Sequence, residues 1–287
     1  MKNKIILPLF AVLLISLFSS CEKDADVDLP ETKPKLVIAS FITPQDTTLQ
    51  VTVTRSRPIF ESYTINTGSA VENATVIMAS STGSVQLTYD ALKECYTASA
   101  TMLPITPGNT YSLTVTTPQG ESAEATTTVP VHNTIGNYSV TMTDSLTTDG
   151  WTSTLTAQFT YQMNDYGGEE NRYRFFAAAL YRDSITGDTS SHRFANKLFT
   201  DDNADGQHLQ GTFDAYWGYY YPFGNRVIIG YDCWMLNVDI HYYQFHNSLY
   251  NYSSGDPFSE PTLIYSNVKN GLGVFASANG SKLRIYR

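Results

Sequence analysis

Apolar residues recur at every second position in short runs punctuated by turn residues, and this pattern confines the chain to a fold built from sheets. Leu49, Val51 and Val53 alternate with Gln50, Thr52 and Thr54. Val85, Leu87 and Tyr89 alternate with Gln86 and Thr88, and Tyr111, Leu113 and Val115 repeat the arrangement. Successive side chains of a strand point to opposite faces, so runs of this kind bury one face and solvate the other. Further strands are predicted at 36–41, 73–79, 94–100 and 122–129, with turns at Gly83-Ser84, Pro107-Gly108 and Pro118-Gln119-Gly120. Seven short strands between residues 36 and 130 suit a small sandwich.

The segment from Leu103 to Val115 carries the most specific local signal. It resembles the corner of fibronectin type III and related immunoglobulin-like domains, where a proline-glycine turn precedes a tyrosine that bonds back to the backbone. Tyr111 is the expected structural tyrosine, and Pro130 ends the module. Residues 35–132 are therefore expected to form an immunoglobulin/fibronectin-III-like β-sandwich. Residues 133–287 read as a second β-rich domain with one helix. Long aromatic strands are predicted at 154–161, 171–183 and 226–238, and a helix from Asp239 to Tyr250. Asp239 is its expected N-cap, with Tyr242, Phe245 and Leu249 on one face. The expected fold class is mainly β.

The N-terminus carries an address. Lys2 and Lys4 precede an apolar run from Ile5 to Phe18, and Ser19-Ser20-Cys21 follows as a small-residue cleavage site ending in a thiol. Residues 1–20 read as a lipoprotein signal peptide and Cys21 as the lipidated residue; an ordinary cleaved signal peptide is the alternative. The apolar run falls short of the roughly 20 residues that a membrane-spanning helix needs. Glu22, Lys23, Asp24, Asp26 and Asp28 lead to Pro30 and Pro34, so residues 21–34 form an acidic, extended tether. Acidic residues behind a lipidated cysteine resemble the surface-export signals of Bacteroidetes-type lipoproteins; a periplasmic linker is the alternative. The chain has 18 Lys+Arg and 27 Asp+Glu for a net charge of −9, which becomes more negative when Lys2 and Lys4 leave with the signal. Nucleic acid is excluded as a partner, and membrane attachment falls to acyl chains rather than to basic residues.

Signatures of catalysis are sparse. Gly271-Leu272-Gly273-Val274-Phe275-Ala276 matches a loose dinucleotide fingerprint but lies in a strand-rich terminus without the strand-turn-helix context. Ser266-Asn267-Val268-Lys269 has the S-x-x-K spacing without its companion motifs and reads as a turn. His132, His192, His208, His241 and His246 are scattered, and Cys95 and Cys233 lack metal-site spacing. An oxidising exterior permits those two thiols to pair, although their positions in different halves favour separate burial. No cofactor is expected. Asp201-Asp202-Asn203-Ala204-Asp205-Gly206 places Asp201, Asn203 and Asp205 as a calcium loop would, but Thr212 stands where a bidentate Glu belongs, so a solvated turn is the default. Tyr216, Trp217, Tyr219, Tyr220, Tyr221 and Phe223 crowd a stretch broken by Gly218, Pro222 and Gly224. Rigid rings on a loop would make a contact surface for a partner or ligand; rings turned inward would fill a core.

Asp256-Pro257-Phe258-Ser259-Glu260-Pro261 and Ser266-Asn267-Val268-Lys269-Asn270-Gly271-Leu272-Gly273-Val274-Phe275 form a pair of blocks near the C-terminus. With Val71-Glu72-Asn73-Ala74, Pro107-Gly108, Thr128-Val129-Pro130 and the 201–206 run, they resemble the Bacteroidetes lipoprotein family catalogued as domain of unknown function 4249. The resemblance implies an outer-membrane lipoprotein with an immunoglobulin-like first domain, frequently encoded beside a TonB-dependent transporter, and it supplies no catalytic residues. The expected function is that of a lipid-anchored, surface-exposed, non-catalytic accessory or binding protein in nutrient uptake. A surface hydrolase of glycans or peptides and a purely adhesive or structural lipoprotein are the alternatives.

Overall fold

The structure, a computed structural model, describes residues 33–57, 70–134, 137–148, 153–219, 225–252 and 263–287, and for 217–219 the backbone alone. The first seven strands follow the alternation in the sequence. They are β1 (Leu36–Ile42), β2 (Thr48–Arg55), β3 (Thr75–Ser80), β4 (Gly83–Asp90), β5 (Cys95–Ser99), β6 (Thr110–Thr116) and β7 (Ser122–Thr128). They hydrogen-bond as an antiparallel ladder in the order β1-β2-β5-β4-β3-β6-β7. Alternate residues converge on one aliphatic core that includes Ile38, Val51, Met78, Leu87, Leu113 and Val115. The corner is built as the turn chemistry requires. Gly108 takes a positive φ of 79°, and the Tyr111 hydroxyl donates to Pro104 O at 2.8 Å and accepts from Thr106 N at 2.8 Å.

The remaining elements are β8 (Tyr138–Thr148), β9 (Ser153–Asn164), β10 (Arg172–Asp183), β11 (Thr189–Thr200), β12 (His208–Tyr219), β13 (Arg226–Val238), helix α1 (Ile240–Tyr250) and β14 (Leu272–Tyr286). Strands β12, β9 and β8 form a separate three-stranded sheet whose inner face meets β10, β11 and β13. That second core is aromatic. Phe159 lies 5.6 Å from both Phe175 and Phe213, and Tyr173, Tyr231 and Met235 close the layer. The molecule is mainly β with one helix among the described residues.

Strand β14 ties the two cores together. It pairs antiparallel with β13 and parallel with β1, from Val37↔Leu272 to Ile42↔Ser277, so one eleven-stranded sheet runs continuously from β11 to β7. A Cβ on Gly273, whose φ is +106°, would stand 2.0 Å from Ile38 O. The glycine pattern at 271–273 therefore serves the close approach of two backbones. The neighbouring Asn267 clasps the same joint, donating from Nδ2 to Phe275 O at 2.8 Å and to Thr126 O at 3.1 Å, while Lys269 bridges Glu124 on β7. The segment expected to be a simple turn is a clasp between strands.

Helix α1 starts at the expected cap: the Asp239 carboxylate accepts from Tyr242 N at 2.8 Å. Its inner face differs from the expected stripe. Leu249 is exposed, and His246 joins Tyr242 and Phe245 against Phe41 of β1, with ring centroids 5.3 to 6.0 Å apart. His246 lies four positions after Tyr242 and so shares its face, whereas Leu249, in the last turn of α1, is exposed. Among the described residues no helix is long and apolar enough to cross a membrane.

Candidate functional site

Two loops at one end of the C-terminal sandwich bring several carboxylates together. One joins β9 to β10 and contains Asp165, Gly168, Glu169 and Glu170; the other joins β11 to β12 and contains Asp201, Asp202, Asn203 and Asp205. They border an acidic depression of about 320 Å³. Asp165, Asp201 and Asp205 each bring a carboxylate oxygen within 4.8 Å of the others. Asp165 is absent from any linear motif, because only the stacking of two loops brings it to residues 36 and 40 positions further along.

Hydrogen bonds explain why these carboxylates gather. Asp165 accepts from the Tyr173 hydroxyl at 2.5 Å and from Gly206 N at 2.8 Å, Asp201 from Asn171 N at 2.9 Å, and Asp205 from Gly168 N at 2.8 Å. Asn171 is buried, and its Nδ2 donates to Tyr166 O and Glu169 O at 3.0 and 2.9 Å, fixing the first loop. Burial raises the pKa of Asp201, and the charges of Asp165 and Asp205 add to that rise against the Asn171 N–H. Burial, then the Asp165 carboxylate, likewise raises the Tyr173 phenol. Asp165, Asp201 and Asp205 are the residues able to face a hard cation. Asn203 sits at a positive φ of 64° in the turn, and Thr212 lies in β12, paired through its hydroxyl with Thr160 at 2.9 Å. The twelve-position calcium pattern therefore does not close around this loop.

The aromatic run divides. Tyr216 is 70% exposed on β12, and the backbone of 216–219 continues that strand opposite Ser153–Thr156 instead of opening into a loop. Tyr220, Tyr221 and Phe223 lie outside the described residues, as does Cys21. Cys95 and Cys233 are separate, buried free thiols, and burial pushes the Cys233 thiol up to about 12. The histidines have partners. His132 stacks on Tyr166 at 4.0 Å, and His241 shares a 2.6 Å hydrogen bond with Tyr265. His246 packs beneath the helix, where its Nε2 accepts from Arg174 at 2.9 Å.

A second polar arrangement, invisible in the sequence, seams the two halves. The Thr127 hydroxyl sits 2.5 Å from Asp239 Oδ2 and 2.8 Å from Ser277 Oγ, and Asn279 Nδ2 donates to Pro130 O at 2.9 Å. Thr134 reaches Met235 O at 2.5 Å. Thr127, Thr134, Ser277 and Asn279 are buried and satisfied, which gives the interface a fixed register.

Among the described residues the chain is mainly β, with a clasp near its C-terminus and carboxylates tied to backbone N–H groups. The chain belongs to the family described as Domain of unknown function (DUF4249), whose model matches residues 22–284. No curated protein matches the chain.

Proposed function

We propose that this chain is a lipid-anchored, surface-exposed outer-membrane protein without catalytic activity, which captures a nutrient or assists its uptake beside a TonB-dependent transporter. The observation that carries the reading is the N-terminal leader ending at Cys21 and continued by the acidic tether. The family match supports it by starting at residue 22, directly behind that cysteine. Four carboxylates held by other groups of the fold accord with the non-catalytic part. Asp165, Asp201 and Asp239 accept from N–H or hydroxyl groups, and Asp232 is held by Arg284 at 2.6 Å and Lys282 at 3.2 Å. Each therefore has a structural task.

The test is to express the full chain in its native host, extract it in detergent and identify what accompanies it. Recovery of a transporter-sized barrel with the wild type is the expected result, together with loss of both fatty-acid labelling and membrane fractionation in Cys21→Ser. Equal labelling of wild type and variant would overturn the anchor, and a monodisperse protein that releases products from polysaccharide would overturn the non-catalytic reading.

A further inference from the structure

A groove of about 220 Å³ lies between the C-terminal half of α1 and strand β11, and it shares no lining residue with the acidic depression. Its space equals about seven water molecules at their liquid volume, the scale of one small ring-shaped ligand. Its walls mix rings with amides. Tyr243, Asn247, Tyr250 and Asn251 come from the helix end, and Asn196, Lys197 and Leu198 from the strand. No carboxylate lines it, in contrast to the rest of an acidic chain.

The amides are oriented before any ligand arrives. Arg174, buried in the sheet, donates from Nε to Asn196 Oδ1 at 2.8 Å and from a terminal nitrogen to the Tyr242 hydroxyl at 2.5 Å and His246 Nε2 at 2.9 Å. That engages Asn196 Oδ1 and leaves its Nδ2 as a donor. Asn251 Nδ2 donates to Asn247 O at 3.0 Å and Oδ1 at 3.3 Å, which leaves Asn251 Oδ1 as an acceptor and Asn247 Nδ2 as a donor. Tyr250 is 80% exposed, and among the described residues neither its hydroxyl nor that of Tyr243 has a hydrogen-bond partner. The groove thus presents aromatic faces ringed by fixed donors and acceptors of both kinds.

A sugar ring has the complementary chemistry: a face of C–H groups that packs on an aromatic ring, and a rim of hydroxyls that each donate and accept. We propose that this groove binds one saccharide unit, its apolar face against Tyr250 and Tyr243 and its hydroxyls on Asn196, Asn247 and Asn251, with Lys197 meeting an acidic substituent. Pre-orientation by Arg174 lowers the ordering cost that a flexible polar surface would bear. The inference deepens the capture reading above and rests on it for the ligand's purpose. Its test uses the isolated protein, so a failure here is separable from failure to recover a transporter.

The experiment is calorimetric titration of the whole purified protein with neutral and uronic-acid oligosaccharides drawn from plant, host and microbial polysaccharides, at up to millimolar concentration. The expected result is saturable binding of one structural class, weakened at least tenfold in Tyr250→Ala and in Asn251→Ala. Ile185→Ala, an exposed change in the β10–β11 turn, should leave it intact. Lys197→Ala should weaken acidic sugars more than neutral ones. Failure of every oligosaccharide to bind, or wild-type affinity in the double Tyr250→Ala, Asn251→Ala variant, would overturn the proposal.

Discussion

The two cores fill similar sandwiches with different chemistry. In the N-terminal half, strands of five to eight residues bury Val, Leu and Ile from one face and leave the other to Thr, Gln and Ser. In the C-terminal half, strands of up to fifteen residues bury interlocked Phe and Tyr rings, and β10 and β14 lose their alternation because both faces are covered. A strand with one wet face writes its register into the sequence; a strand covered on both faces does not. The comparison turns on β14, which belongs to both halves.

The largest expected effect therefore lies at that joint. Gly273→Ala forces a Cβ against Ile38 O at a backbone angle that side chains avoid, and should cost about 4 kcal/mol or more, enough to threaten a marginally stable fold. Gly120→Ala is the control, since Gly120 has a φ of +83° but nothing within 4 Å of its added methyl, and should cost about 1–2 kcal/mol. Urea unfolding measures both. Equal midpoint shifts would mean that the parallel β1–β14 pairing does not bind the halves.

Core truncations sharpen the same question. Phe159→Ala should cost about 3–5 kcal/mol and Leu113→Ala about 2–5 kcal/mol, one in each core. If β14 couples the cores, each variant lowers one shared transition seen by both near-ultraviolet and far-ultraviolet circular dichroism. Two separated transitions, each sensitive to only one of the variants, would make the halves independent.

All seven strands of the first half were legible because they are short, most alternate, and turn residues punctuate the run, although β5 buries the adjacent Cys95 and Tyr96. Strands β9, β10 and β13 and the Asp239 cap were legible too, from aromatic runs and a capping residue. Strands β8 and β11 escaped because they lie at sheet edges and their sequences are largely polar and exposed. Strand β14 escaped because Ala276, Ser277, Ala278, Asn279 and Gly280 are small residues selected by close packing, not by hydrophobicity. The 201–206 run was visible, but Asp165 was not, and neither was the Arg174–Asn196 relay, since tertiary pairing alone brings such residues together.

A pH-dependent effect lies where α1 meets both halves, at His246 between Phe41 of β1 and Arg174 of β10. Burial, reinforced by the positive charges of Arg174 and Arg193, pulls the His246 pKa down to about 3, whereas the unfolded chain returns it to its ordinary value near 6.5. Tyr242, Phe245 and Phe41 surround it on the remaining sides. The unfolded state binds the proton first, so the stability held at neutral pH drains away as pH falls from about 6.5 toward 3. His246→Gln keeps an acceptor for Arg174 without the titration, and its unfolding free energy should fall less over that window. Parallel curves for the two proteins would remove His246 as the cause.

The smallest effect belongs to the acidic loops. A calcium site held at 100 times its dissociation constant would add about 2.7 kcal/mol to stability. Calcium requires six to eight oxygens. Here both Asp165 oxygens and one oxygen each of Asp201 and Asp205 already accept hydrogen bonds that knit the loops, and Thr212 faces Thr160 on the sheet. An incoming ion would have to share carboxylates that Gly168, Asn171, Gly206 and Tyr173 already orient to hold the loops rather than a cation. Millimolar calcium should therefore raise stability by less than about 1 kcal/mol, read by thermal unfolding with and without chelator. A rise approaching the saturated value in the wild type and lost in Asp205→Ala would show that the carboxylates take the ion, and would make this end of the aromatic half a ligand-ordered site.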